Sequence, residues 1–564
     1  MPQTGQNRFV PALVETLRDG YGPARLRQDA LAGLTVAIVA LPLSMAIAIA
    51  AGGTPAMGLY TAIVGGFVIS ALGGSRYQIG GPAGAFIVLV AGTIAQHGIG
   101  GMIVATMMAG VIMGAIGLLR LGSYIKFIPY PVTVGFSAGI AVIIFSSQIK
   151  DLLGLTLSEP EPAHILEKLP VLWESLPSAN AITIALAFAT IALIVGLKRY
   201  APRLPNLLIA VMATTLTAAL LGLQTPTIES AFGAVPAGLP MPSLPHIDAA
   251  LLIAVLPNAI AFALLGAIEA LLSAVVADGM TGHRHNSNME LVAQGAANIA
   301  VGLFGGMVAT GTIARTATNV RAGGHGPVAG MLHAVFILLF MLVAAPLVGF
   351  VPLASLAGVL AVVAWNMIER DAIVSLLRSS RADAAVLLVT LGLTVFRDLT
   401  EAIVVGFALG AVLFIHRMSK AAEVVEQRTT EAEDRAEPID PEIVVYRIRG
   451  AFFFGATASV GAVLDRISDK YRGLLIDLSD VTLIDSTAAH LIEQLVHKAE
   501  KRGVDVMLTG TTHDLRVQLF AQGIKPPKVS YESSVALGMR KLRHKLDHRQ
   551  EAEKSAGAEH PQIA

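Results

Sequence analysis

Gly80-Gly81-Pro82-Ala83-Gly84-Ala85-Phe86 and Gly305-Gly306-Met307-Val308-Ala309-Thr310-Gly311-Thr312 decide how this chain folds. Both interrupt long apolar regions, and both are too short and too glycine-rich to cross hydrocarbon as an ordinary helix, which needs about 20 apolar residues. Each also stands third in a set of seven apolar segments. These fall near 31–51, 58–74, 83–96, 101–120, 131–147, 180–197 and 205–222, then near 253–278, 290–304, 313–322, 327–350, 353–367, 383–397 and 400–416. Seven is odd, so the second set enters the membrane from the opposite side. Broken helices at matching places in two inverted halves point to a binding site at the midplane of a transporter. Close helix packing at small residues accounts for either segment alone, whereas their matched positions favour a site.

Composition agrees with that reading. Of 564 residues 54% are hydrophobic and only 14% charged, which places most of the chain in lipid. Forty Lys+Arg balance forty Asp+Glu, so the charge carries no nucleic-acid footprint. The absence of cysteine excludes disulfide scaffolds, thiolate metal sites and cysteine nucleophiles, and nothing in the sequence suggests an enzyme. Residues 1–29 hold Arg8, Arg18, Arg25 and Arg27 without the apolar core of a cleavable signal, so the N-terminus is expected to stay cytoplasmic. Loop charge supports this topology, because cytoplasmic loops retain Lys and Arg. With the N-terminus inside, the cytoplasmic loops carry Arg120 and Lys126; Lys198, Arg199 and Arg203; Arg284; Arg321; and Arg370, Arg378 and Arg381. The outer stretch 222–248 has neither Lys nor Arg. The expected location is the bacterial inner membrane, with both termini cytoplasmic.

The transmembrane domain is assigned to 30–418. An acidic segment with Pro438 and Pro441 reads as a linker over 419–441. From 442 to 545, strand patterns at 443–448, 474–478 and 504–508 alternate with helical patterns at 456–468 and 488–502, which describes a small α/β domain. The polar tail 546–564 is expected to be disordered.

Several stretches resemble the sulfate permease (SulP) family of anion transporters. Pro55-Ala56-Met57-Gly58-Leu59-Tyr60-Thr61-Ala62, running on to Gly73-Gly74-Ser75-Arg76, matches its signature, with Met57 in place of a usual tyrosine. Asp29-Ala30-Leu31-Ala32-Gly33-Leu34-Thr35, Asn288-Met289-Glu290-Leu291 with Gln294-Gly295, and Ala314-Arg315-Thr316-Ala317-Thr318-Asn319-Val320-Arg321-Ala322-Gly323 match further. The soluble part resembles a STAS domain, with Leu475-Ile476-Asp477-Leu478 and Ile484-Asp485-Ser486-Thr487 at its characteristic loop. The resemblance implies seven-plus-seven inverted repeats, a core domain (spans one to four and eight to eleven) moving against a gate domain, and a homodimer. Leu43 and Ile47 depart from relatives that carry a polar or aromatic pair in span one, so substrate detail does not carry over.

Two helix N-termini facing across the midplane each present free N–H groups and about half a positive charge, which suits a small anion. The candidate ligands are Ala83, Gly84, Ala85 and Phe86 of span three and Thr310, Gly311, Thr312 and Ile313 of span ten. The threonine hydroxyls either donate to the anion or bond a backbone carbonyl. Arg315, within a turn of the break, is read as a charge directed at the site; the alternative is a cytoplasmic positive-inside residue, the role given to Arg321. Glu269 is the only carboxylate of span eight before Asp278. A carboxyl there can be neutral at one stage of transport and ionised at another, as proton coupling requires, with Ser273 one turn on along the same face. The alternative is a permanent Glu269–Arg315 pair. Sodium-coupled relatives hold an aspartate and a hydroxyl at the matching places, so Na⁺ is a lesser candidate. His283 and His285 read as solvated loop histidines and no metal site is expected. Ser486, phosphorylated at the matching place in regulatory STAS relatives, is either a modification site or the cap of the following helix.

The expected function is therefore alternating-access anion transport, with proton symport of sulfate first, bicarbonate or a C4-dicarboxylate next, and no cofactor. The competing readings are an uncoupled exchanger or channel, a membrane-anchored STAS signalling protein, and a nucleobase permease.

Overall fold

The computed structural model describes residues 9–122, 129–158, 161–162, 165–202, 204–397, 399–421, 423–426, 429–432, 435–438, 440–455 and 471–558. They form two units, Met1–Ala408 and Leu409–Ala564.

Each of the fourteen predicted segments holds a helix. Spans one and two are Pro23–Ala50 and Pro55–Leu72, both opened by a proline at the first turn, where its missing N–H costs no hydrogen bond. Spans three and four form one apolar stretch, Gly84–Leu118, split where Gly98 takes φ +69°. Spans five to seven are Tyr130–Leu153, Ala181–Tyr200 and Asn206–Leu220. Span eight, Ala249–Thr281, starts on the Asp248 cap and ends at Gly282 in the left-handed conformation. Spans nine and ten are Ser287–Leu303 and the short Ile313–Arg321. Val328–Val348, Leu353–Met367, Arg381–Phe396 and Leu399–Ala421 complete the set. Among the described residues, nine helices are long and apolar enough to cross a membrane unaided. Short helices that sequence reading did not anticipate lie at Ala12–Arg18, Ile165–Ser175, Ile228–Phe232 and Arg370–Ser379.

The spans pack in two groups. Span nine lies along spans two and four, span eight along spans three and four, and spans ten and eleven against span one. Spans twelve and thirteen pack on span five, with spans six and seven beside twelve. The first group holds spans one to four and eight to eleven, the set that the resemblance names as a core, and both groups belong to one unit. Spans four and nine meet at glycine: a Cβ on Gly110 would lie 2.7 Å from the Gly295 carbonyl, and one on Gly295 2.6 Å from that of Gly110. Any side chain at either position would drive the helices apart.

The second unit carries a five-stranded sheet in the order β3-β6-β7-β8-β9: Glu423–Glu426, Ile443–Phe452, Gly473–Ile484, Asp505–Thr509 and Ser530–Glu532. All neighbours are parallel except β3, which runs antiparallel to β6. Alternate residues of the central strands face opposite sides. Val444, Tyr446, Leu474 and Ile476 meet Ile492 and Val496 of helix Ser486–Lys501, while Ile443, Val445 and Leu475 meet Leu542 and Leu546 of helix Val535–Ala558.

Three expectations change here. The expected linker contributes β3 to the sheet, where β-branched Val424 and Val425 pair with Ile448 and Arg447 of β6, and a β4–β5 hairpin, Thr429–Ala432 with Arg435–Pro438. The tail expected to be disordered from 546 is helical to Ala558, extending a helix anchored by Leu542 and Leu546. Strand β7 extends well beyond 478, to Ile484. The expected helix at 456–468 lies outside the described residues.

Candidate functional site

The two broken segments meet. Gly80–Gly81 (β1) pairs antiparallel with Thr310–Gly311 (β2), Gly80 opposite Gly311 and Gly81 opposite Thr310, as opposite entry of the two halves demands. The Thr312 N–H extends the ladder to the Ile79 carbonyl at 3.1 Å. Immediately after each strand a helix begins: Ala83 precedes the tight turn Gly84–Phe86 that opens span three, and Thr312 precedes span ten. No side chain caps either start, which leaves first-turn N–H groups available to a ligand. Gly84 is half-buried and faces Ile144 of span five and Met367 of span twelve, and Ile313 is 39% exposed. Both helix starts are therefore reachable, while Ala83, Ala85, Phe86, Thr310 and Gly311 are buried behind them.

Buried polar residues hold this junction in place. Asn298 of span nine exchanges two 2.8 Å hydrogen bonds with the backbone of Ala309. Thr61, at the start of a π-helical turn in span two, accepts from the Met307 N–H at 2.8 Å and directs its single proton to the Met57 carbonyl at 2.7 Å, with the Met307 carbonyl 3.1 Å away. Such turns are rare and recur at functional sites. Glu290 accepts from the Gly74 and Ser75 N–H groups, and Asn319 donates to the Tyr77 carbonyl. Sequence reading did not single these residues out for a site; amides and carboxylates inside apolar runs were the signal available.

Arg315 is 2% exposed and lies inside the junction. Nη1 donates to the Gly80 carbonyl at 3.3 Å, and Nη2 to Ser44 Oγ at 3.0 Å and the Pro82 carbonyl at 3.2 Å. Gly81, at φ +153°, is where the guanidinium passes: an added Cβ would collide with it. No carboxylate pairs with Arg315 among the described residues, so its charge stands uncompensated beside two positive helix ends. Arg321, at the far end of the same helix, is exposed.

The threonine hydroxyls take the carbonyl alternative: Thr310 donates to the Gly266 carbonyl at 3.0 Å and Thr312 to that of Ile79 at 3.3 Å. Glu269 and Ser273 part company. Ser273 is buried and donates to Thr316 Oγ1 at 2.9 Å, which also accepts the Ile79 N–H, so this hydroxyl ties span eight to span ten. Glu269 borders a crevice lined by Val132, Phe136 and Ser137 of span five and Ile403 of span fourteen. It has no hydrogen bond or ion pair among the described residues, and the alternative of a fixed Glu269–Arg315 pair falls away.

Two other expectations change. His285 is 6% exposed and buried between partners: Nδ1 lies 2.7 Å from Asp278 Oδ2 and Nε2 2.9 Å from Ser287 Oγ. His283 contacts the Tyr77 hydroxyl. His283 is exposed, as expected of a solvated loop histidine, whereas His285 is packed because the loop folds back onto the end of span eight at Asp278. Asp485, not Ser486, caps helix Ser486–Lys501, accepting the Ala488 N–H at 2.8 Å; Ser486 is the first helical residue and is exposed.

The sulfate permease family profile matches residues 26–390, and a STAS domain profile matches residues 436–530. The chain belongs to the sulfate permease family. It is a multi-pass integral membrane protein of a transporter family. Within it, YvdB of Bacillus subtilis, named as a candidate sulfate transporter, is 39% identical over 90% of this chain and 95% of its own. The bicarbonate transporter BicA of Synechocystis is 30% identical over 88% and 90% respectively. The structure of the murine solute carrier 26 member A9 anion transporter, inward-facing, superposes with a TM-score of 0.84 over 96% of each chain at 18% identity, which shows the shared fold alone.

Proposed function

We propose that this chain is a proton-coupled anion symporter working by alternating access, with the anion held at the starts of spans three and ten. The observation that carries the reading is the convergence of two uncapped helix starts with the unpaired charge of Arg315. Ala83, Gly84, Ala85, Phe86, Thr310, Gly311, Thr312 and Ile313 shape the pocket mainly with backbone, and Arg315 supplies charge. With threonine hydroxyls engaged by carbonyls, recognition rests on N–H groups, which suits a small oxyanion. Sulfate leads, in keeping with YvdB; bicarbonate follows, in keeping with BicA; C4-dicarboxylates come third.

Glu269 is the proposed proton carrier. It sits on the core side of a crevice whose other wall is gate, where relative motion alters its surroundings. Sodium is the lesser alternative, since the Ser273 hydroxyl that would complete a cation site faces Thr316. A homodimer in the bacterial inner membrane with cytoplasmic termini, and phosphorylation of exposed Ser486, belong to the same reading.

Thermal unfolding of the purified protein with sulfate, bicarbonate, succinate, fumarate and chloride tests the substrate class. A ligand at a hundred times its Kd stabilises by about 2.7 kcal/mol. Stabilisation by sulfate supports the leading assignment, and stabilisation by none of the anions contradicts the site.

A further inference from the structure

Helix Val535–Ala558 carries a pair of histidines that the transport reading does not use. His544 and His548 are one turn apart, both exposed, with rings edge-to-face at 5 Å or less: their centroids lie 4.3 Å apart and their Nε2 atoms 3.2 Å apart. Two imidazole nitrogens bound to one ion at about 2.0–2.1 Å, with an angle between about 90° and 110°, stand about 2.8–3.4 Å apart. The 3.2 Å separation is that of a hydrogen bond between the two Nε2 atoms, and it falls within the bite of a chelate. Beside the pair, His548 Nδ1 lies 3.7 Å from Glu551 Oε2, which places a carboxylate near the ring without a hydrogen bond to it.

We infer that His544 and His548 form a binding site for a divalent transition-metal ion of the imidazole-preferring kind, Cu²⁺, Ni²⁺ or Zn²⁺. Among the described residues no group of three or more ligating side chains converges, so water completes the coordination shell.

The surrounding charges permit it. Lys541 is drawn to Glu532, and Lys545 and Arg549 to Asp505, which turns these cations towards the sheet. Arg540 lies one turn before His544 and remains exposed. Opposing it, Asp547 and Glu551 each follow a histidine by three residues, on the neighbouring helical position.

The site also stands at a structural seam. Leu542 and Leu546 are the last buried apolar anchors of this helix; the residues that follow are polar or small. An ion bridging 544 and 548 adds a link between the turn held by buried leucines and the following turn, which polar contacts such as Arg549–Asp505 hold, and stabilises the helical state there.

Untagged full-length protein in detergent, titrated with Cu²⁺ and with Zn²⁺, tests the site. The expected result is one ion per chain, Cu²⁺ tighter than Zn²⁺, with superhyperfine splitting from two imidazole nitrogens in the Cu²⁺ electron paramagnetic resonance spectrum. His544→Ala and His548→Ala should each weaken binding at least tenfold, and His497→Ala, an exposed histidine on another helix, should leave it unchanged. Saturating Zn²⁺ should slow tryptic cleavage after Arg549 in the unaltered protein and not in the double variant. Retention of the two-imidazole spectrum in the double variant, or an equal loss in His497→Ala, would overturn the assignment.

Discussion

Arg315 and Arg321 lie on one nine-residue helix and occupy opposite situations. Arg315 is enclosed among carbonyls and a serine hydroxyl without a counter-charge, whereas Arg321 is exposed at the helix end. Arg315→Ala is expected to weaken anion binding at least tenfold, about 1.4 kcal/mol or more, and Arg321→Ala to leave it unchanged; isothermal titration of both variants checks this. Asp485 offers a second residue-scale test. It holds the Ala488 and Phe454 N–H groups, so Asp485→Ala should lower the stability of helix Ser486–Lys501 by about 1 kcal/mol, measured by hydrogen exchange. Ser486→Ala, which removes no cap, should leave that helix unchanged.

At the scale of elements, the proposed site depends on two short strands joining before two helices begin. Asn298 holds one of them through both peptide groups of Ala309. Asn298→Leu leaves a buried N–H and a buried C=O without partners, at about 1–3 kcal/mol each, and is expected to lower the melting temperature of the purified protein and to abolish anion binding. Gly81→Ala should leave the helices intact and displace Arg315, seen as lost affinity in a protein of near-normal far-ultraviolet circular dichroism. The spans were legible because a hydrocarbon solvent imposes one length and one composition on every crossing. The broken segments were legible because glycine and proline interrupt apolar runs at matching positions. Their pairing was not, since two glycine-rich dipeptides more than two hundred residues apart carry no pattern that specifies a partner. Nor was the separation of Glu269 from Ser273: helical spacing places two residues near one face, and the packing of spans five, ten and fourteen then divides that face. In the soluble unit β3 hid inside an acidic stretch, and the long C-terminal helix hid behind a polar composition.

For the whole molecule, every proposed ligand lies in the first unit, before residue 408. A chain ending after Ala421, which keeps span fourteen and removes β3 with the rest of the sheet, should still bind the anion; loss of binding by a folded truncation would give the STAS domain a part in the site. The proposed coupling joins that site to Glu269 through the relative movement of core and gate. Glu269→Gln preserves the shape of the neutral carboxyl and removes its ability to carry a proton. The most direct measurement is uptake of labelled sulfate into proteoliposomes with and without an imposed inward proton gradient, for the unaltered protein and Glu269→Gln. Uptake by the unaltered protein should be stimulated by the gradient and that of the variant independent of it; an undiminished response in Glu269→Gln would show that Glu269 does not carry the proton.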